Sequence, residues 1–248
     1  MTLDQSDYLA LDAVAMAAGV AAGDWTPAEL HAAATVRHRD TDPDINAVVE
    51  WYRSPSTGAP RDGLPLAGVP FLRKDYGSGE AGRRRECGSR LAAGVRAETT
   101  DPYFERLAAA GATVVGRSAV PELIQHGTTE SIVHGATRNP HGVAWSAGGS
   151  SGGAGAAVAA GVVPAAHASD CAGSIRIPAA TCGLVGLKPS RRRVPWPDGG
   201  GGGIADEFVV SRTVRDARRL WAVLADRPRI GAAETSTRLR IGLSTDHW

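Results

Sequence analysis

Two glycine-flanked serine turns and one lysine carry most of the chemical information in this chain. Gly148-Gly149-Ser150-Ser151-Gly152-Gly153 is the first turn, and Asp170-Cys171-Ala172-Gly173-Ser174-Ile175-Arg176-Ile177-Pro178 contains the second. Upstream, Gly68-Val69-Pro70-Phe71-Leu72-Arg73-Lys74-Asp75 supplies the lysine. A serine hydroxyl is a weak nucleophile until a base removes its proton. Serines in tight glycine turns next to a lysine could therefore support acyl transfer. Three other readings compete. The first turn fits G-x-S-x-G around both Ser150 and Ser151, as in a nucleophile elbow. An elbow needs a preceding apolar strand and a later histidine, yet residues 142–147 make a poor strand and only His167 and His247 follow. A phosphate-binding loop would need Gly-Lys-Ser/Thr after the glycines, which is missing. A Gly/Ser/Ala run standing alone also serves as a flexible loop or a tight helix contact.

These turns need a framework, and the sequence predicts one of alternating short apolar strands and helices. Residues 8–19 read as an Ala-rich helix. Thr26-Pro27-Ala28-Glu29 opens another with an N-cap, a proline at the first position and a capping-box glutamate, running to about His38. Strands are expected over 45–51, 69–72, 113–116, 162–168, 184–187 and 239–243. The strand over 69–72 delivers Lys74 at its C-terminal end. Helices are expected from Asp101 to Ala110, from Gly153 to Ala160 and from Thr213 to about Ala225, with Asp216 in capping-box position. Ser174 falls at a strand-to-helix junction. The pattern predicts an α/β fold, a mixed β-sheet core flanked by α-helices. No domain linker stands out over 1–248, although residues 195–203, ending in an unbroken glycine run, are the expected nick site and a mobile loop.

Bulk properties exclude several functions. The chain has 248 residues, 43% hydrophobic and 21% charged, enough for a sizeable core. With 27 basic and 26 acidic side chains the formal charge is +1, too little to attract nucleic acid or an anionic membrane. Arg83-Arg84-Arg85 and Arg191-Arg192-Arg193 lack interleaved aromatics and read as solvated surface. Residues 139–169 carry no full charge, but Gly/Ser content and Pro164 argue against a spanning helix. Cys87, Cys171 and Cys182 form no CxxC pair, so neither a zinc site nor a disulfide framework is expected. A soluble protein of the reducing cytoplasm, without cofactor, nucleic-acid or membrane partner, is the resulting expectation.

From 65 to about 195 the chain resembles the amidase signature family. Besides the three segments above, the resemblance includes Gly111-Ala112-Thr113-Val114-Val115-Gly116, Pro121-Glu122, Thr129-Glu130, Gly135-Ala136-Thr137-Arg138-Asn139-Pro140 and Cys182-Gly183-Leu184-Val185-Gly186-Leu187-Lys188-Pro189-Ser190. Ala166-His167-Ala168-Ser169-Asp170 resembles the branch that includes 6-aminohexanoate-cyclic-dimer hydrolase. The resemblance implies hydrolysis of a small linear or cyclic carboxamide. In it Ser174 is the nucleophile, Ser150 the bridging serine after a cis Gly149-Ser150 peptide, and Lys74 the base. Backbone N–H groups of Cys171, Ala172, Gly173 and Ser174 would form the oxyanion hole. Ser151 and Ser169 are expected as hydrogen-bonding neighbours, Asp170 and Arg176 as a pair that fixes the turn, and Lys188 as structural. Gln125, His126 and Trp145 are candidate pocket residues, with packing or surface the equal alternative for each.

Three departures stand out. Ala172 replaces a common family glycine, and Cys171 occupies a variable position, where an inert side chain is expected. Ile177 stands where ammonia-transferring subunits usually carry glutamine, favouring a free-standing hydrolase. Family members also continue well beyond the point where this sequence stops, and 196–210 match the family poorly. The chain therefore reads as one amidase signature domain lacking its C-terminal portion: a fragment, a short form completed by a partner or as a homodimer, or an inactive relative.

Overall fold

The computed structural model describes residues 3–57, 63–197 and 203–226. The helix expected over 8–19 is two helices, α1 (Gln5–Ala10) and α2 (Ala13–Ala22). The break comes at Asp12, whose side chain accepts from Ala15 N at 2.9 Å and starts the second helix. α3 (Pro27–Ile45) opens with both halves of the expected capping box and runs well past His38. It ends at Asn46, whose φ of 49° stops the helix, while Asp42 accepts the following Ala47 and Val48 N–H groups.

Six strands form the central sheet. They are β1 (Val48–Thr57), β2 (Pro70–Lys74), β3 (Thr113–Ser118), β8 (Ala165–Asp170), β9 (Val185–Gly186) and β10 (Asp206–Ser211), in the order β1-β3-β2-β8-β10-β9. β2 runs parallel to β3 and β8, and the remaining pairs are antiparallel, so the sheet is mixed. Every residue of β2, β3, β8 and β10 is buried. Their short, near-continuous burial is that of strands covered on both faces. α4 (Pro102–Ala109) lies between β2 and β3 in sequence. α5 (Gly152–Ala159) is buried almost all round, which its Gly/Ala sequence permits by letting backbone approach backbone. α6 (Arg176–Thr181) follows the second serine turn, and α7 (Val214–Leu224) packs against β10 and α4. Thr213 caps α7 as expected, but Asp216 turns its carboxylate to Val14 N at 3.1 Å and so caps α2.

The expected strand over 162–168 is displaced to β8, and β10 was not foreseen at all. It opens on two acidic residues, Asp206 and Glu207, that are nevertheless buried. Two small hairpins, β4 (Glu130–Ser131) with β5 (Gly135–Ala136) and β6 (Arg138–Asn139) with β7 (Gly142–Ser146), were also missed because they lack apolar alternation. The expected strand over 239–243 and most of the glycine run lie outside the described residues.

Candidate active site

Lys74 is the last residue of β2 and is fully buried. Its Nζ lies 2.9 Å from Ser150 Oγ, 2.8 Å from Ser151 Oγ and 2.9 Å from Ser169 Oγ. Burial pushes the amine down to about 7, although the charges of Glu207 and Asp170 pull the other way. An ammonium loses its hydration on burial and gains no carboxylate contact here, so its neutral form competes near pH 7.

Ser150 and Ser151 sit at the entry to α5. The Gly149-Ser150 peptide is cis. Gly148 has φ +75°, and a Cβ on Gly149 would lie 2.4 Å from Thr128 O, so the turn admits only glycine at both places. Ser151 N donates to Ser174 O at 3.3 Å, which ties the two serine turns together. Ser151 Oγ also donates to Ser169 O at 3.3 Å.

The second turn joins β8 to α6. Asp170 is its organiser: Oδ1 accepts from Gly173 N at 2.6 Å, and Oδ2 accepts from Ile175 N at 3.2 Å. Arg176 Nε lies 2.8 Å from Oδ2 and its Nη2 2.9 Å from Oδ1, the expected pair. Burial alone would raise the Asp170 carboxyl, but Arg176 and these N–H donors outweigh it and hold the group at about 2. The oxyanion-hole expectation needs one correction. Gly173 N–H is committed to Asp170 and is not free for a substrate oxygen. Among the described residues, the N–H groups of Cys171, Ala172 and Ser174 have no hydrogen-bond partner. Ala172 is compatible with its place because the left-handed φ falls on Gly173, at +128°, and not on Ala172.

Ser150, Ser169, Cys171, Ala172 and Ser174 line one cavity of about 360 Å³. Ser174 Oγ has no hydrogen-bond partner among the described residues, so the lysine contacts Ser150 directly and Ser174 only shares the cavity wall. Tyr76, Ile124 and Ile177 contribute apolar surface, and among the described residues no Asp, Glu, Lys or Arg lines it. Gln125 and His126 reach the cavity as expected, whereas Trp145 is 65% exposed on β7 and does not. Lys188 pairs with Asp206, away from this cavity. His167, whose Nδ1 accepts from Lys74 N at 3.2 Å, and Glu207 beside it were not singled out from sequence. Their proximity arises from the pairing of β8 with β2 and β10, which no local pattern signals.

Residues 44–237 match the family model described as Amidase. A 6-aminohexanoate-cyclic-dimer hydrolase from Paenarthrobacter ureafaciens is 37% identical over 94% of this chain and 52% of its own length. An acylamidase from Rhodococcus erythropolis is 39% identical over 75% of this chain and 41% of its own. The solved structure of a 6-aminohexanoate cyclic dimer hydrolase complexed with substrate superposes with a TM-score of 0.79 at 35% identity, over 95% of this chain and 50% of that one. The chain thus spans about half the length of these relatives. The matched fold and the family model over most of the sequence agree, and the chain belongs to the amidase family.

Proposed function

We propose that the chain carries the hydrolytic centre of an amidase acting on a small, neutral linear or cyclic carboxamide. The observation that carries this reading is the buried Lys74 amine in hydrogen-bond contact with Ser150, with its proton affinity lowered to about 7. A neutral amine offers one lone pair and two N–H donors. Ser151 Oγ spends its proton on Ser169 O, so it accepts from Lys74. Ser150 is the hydroxyl on the cavity wall, and in this reading its proton goes to the Lys74 lone pair. As Ser150 gives up that proton it takes the one from Ser174 Oγ, which attacks the amide carbon. The C–O bond forms and the carbonyl π pair becomes an oxyanion.

Cys171, Ala172 and Ser174 N–H groups are the available donors for that oxyanion; one donor of this kind contributes about 3–4 kcal/mol to the transition state. Collapse expels the amine, which receives the proton back from Lys74 through Ser150. Water then attacks the Ser174 ester by the same relay and releases the carboxylic acid. Asp170 and Arg176 hold the turn without touching the reacting atoms. The lining among the described residues is uncharged, which supports a neutral substrate, because a charged one would lose hydration without gaining a partner there. No described helix is long and apolar enough to cross a membrane. Three free thiols support a cytoplasmic setting.

A fluorophosphonate probe tests the reading. The wild-type chain is expected to gain one probe mass at Ser174, and Ser174→Ala to gain none. A second reading rests on the half-length match to the relatives: another polypeptide segment, or a second copy, completes the site. A folded wild-type chain that stays unlabelled would reject self-sufficient activity in favour of that reading.

A further inference from the structure

His167 and Glu207 are both fully buried, and the relay just described uses neither. Register places them together. β8 and β10 pair with Ser169 opposite Glu207 and His167 opposite Val209, so His167, Ser169 and Glu207 lie on one face of the sheet. His167 Nδ1 accepts from the Lys74 backbone N–H at 3.2 Å, which puts the ring proton on Nε2. That nitrogen lies 3.2 Å from Glu207 Oε1. Glu207 Oε1 also accepts from Ser78 N at 2.6 Å, and Oε2 from Ser78 Oγ. Ser78 follows Lys74 by one short loop. Gly77 lets that loop close down, since a Cβ there would lie 1.9 Å from Glu207 Oε1. The Glu207 carboxylate therefore lies against His167, which accepts from the lysine's backbone, and holds Ser78 just downstream, although the 3.2 Å His167–Glu207 approach lacks hydrogen-bond alignment.

We propose that Glu207 and His167 are a positioning pair, which orients Lys74 and supplies the buried negative charge that sets the pH at which Lys74 becomes a base. The inference rests on the assignment of Lys74 as that base. Burial keeps His167 neutral, and the rings of Tyr103 and Phe104, 4.7 and 5.3 Å away, close it in. Of the other groups facing Lys74, Asp170 is already paired with Arg176, the Cys87 thiol is pushed up by burial, and Tyr76 offers its ring 5.9 Å from Nζ. Arg73 and Lys74 are the cations that face His167. Among the described residues no Lys or Arg side chain lies within ion-pair distance of Glu207, so its field at Lys74 is not cancelled by an adjacent guanidinium.

Glu207→Gln isolates the charge. The amide oxygen can keep the Ser78 N and His167 contacts, and the amide NH₂ can donate to Ser78 Oγ. The experiment is the rate of fluorophosphonate labelling of Ser174 in the whole chain against pH, with folding checked by circular dichroism. Wild type is expected to gain rate through about pH 7. E207Q is expected to move that midpoint down by about one unit, since a nearby opposite charge no longer favours the ammonium. His167→Asn keeps an acceptor for Lys74 N–H but removes the Nε2–H from the carboxylate, and is expected to move the midpoint up. This variant decides the question if E207Q does not fold. A folded variant with the wild-type midpoint overturns the proposal while leaving the Lys74 assignment intact. Absence of labelling in folded wild type rejects the self-sufficient centre on which the proposal rests, and the pair's proposed role in this chain falls with it.

Discussion

At the scale of single residues, the proposed chemistry depends on an amine that must be uncharged. Lys74 achieves this by burial against three serine hydroxyls and no carboxylate contact. The sign follows directly: the base is the deprotonated form, so labelling of Ser174 should fall about tenfold per pH unit below the lysine's value of about 7 and level off above it. Lys74→Ala should lower the labelling rate by about 10²–10⁴-fold at pH 8, with Ser174 still present and the fold intact by circular dichroism. A Lys74→Ala variant that labels at the wild-type rate would remove the lysine from the mechanism. Lys74, Ser150, Ser174, Asp170 and Arg176 were singled out through the family resemblance. The commitment of Gly173 N–H to Asp170 was not, because an N–H group goes to whichever acceptor the folded turn brings nearest.

Among the elements, α5 sets the tolerance of the site. The helix begins directly after Ser150-Ser151 and is packed so closely that its second residue, Gly153, has backbone for neighbours: a Cβ there would lie 2.3 Å from Ala119 N and 2.6 Å from Ala47 O. Backbone atoms cannot rotate aside as a flexible side chain can. Gly153→Ala should therefore destabilise the chain by about 1–3 kcal/mol, read as a lower urea midpoint, despite alanine's better helix propensity. An unchanged or raised midpoint would show that α5 can shift outward. The sequence predicted a helix here but left open whether its Gly/Ser/Ala run marks a flexible loop or a tight contact. The buried acidic start of β10 was hidden, because its polar residues are satisfied by distant partners, Glu207 by Ser78 and Asp206 by Lys188.

Across the whole molecule, the N-terminal helices are fastened to α7. Arg215 Nη2 lies 2.6 Å from Asp12 Oδ1, Arg212 Nη1 donates to Leu9 O at 2.7 Å, and Asp216 caps α2. Burial alone would raise the Asp12 carboxyl, but hydrogen bonds from Arg215, Ala15 and Thr213 outweigh it and lower the group. A depressed folded value means a contribution to stability that is present above the ordinary carboxylate range and lost as pH falls through the lowered one. Asp12→Asn should cost about 1 kcal/mol near neutral pH, and the difference from wild type should shrink below about pH 4. A difference that stays constant down to pH 2 would assign Asp12 a role independent of its charge.

Sequence by itself determined what is encoded locally. Turn glycines, helix caps at Thr26 and Thr213, and the spacing of a lysine and two serine turns all express backbone sterics or short-range hydrogen bonding. The family resemblance adds their joint meaning. Tertiary structure alone decided how these groups behave. The Lys74 pKa falls to about 7 because packing strips its water, and Ser169, His167 and Glu207 converge on it because β8 pairs with β2 and β10. Desolvation and strand register are properties of the assembled chain, since each depends on residues far apart in sequence.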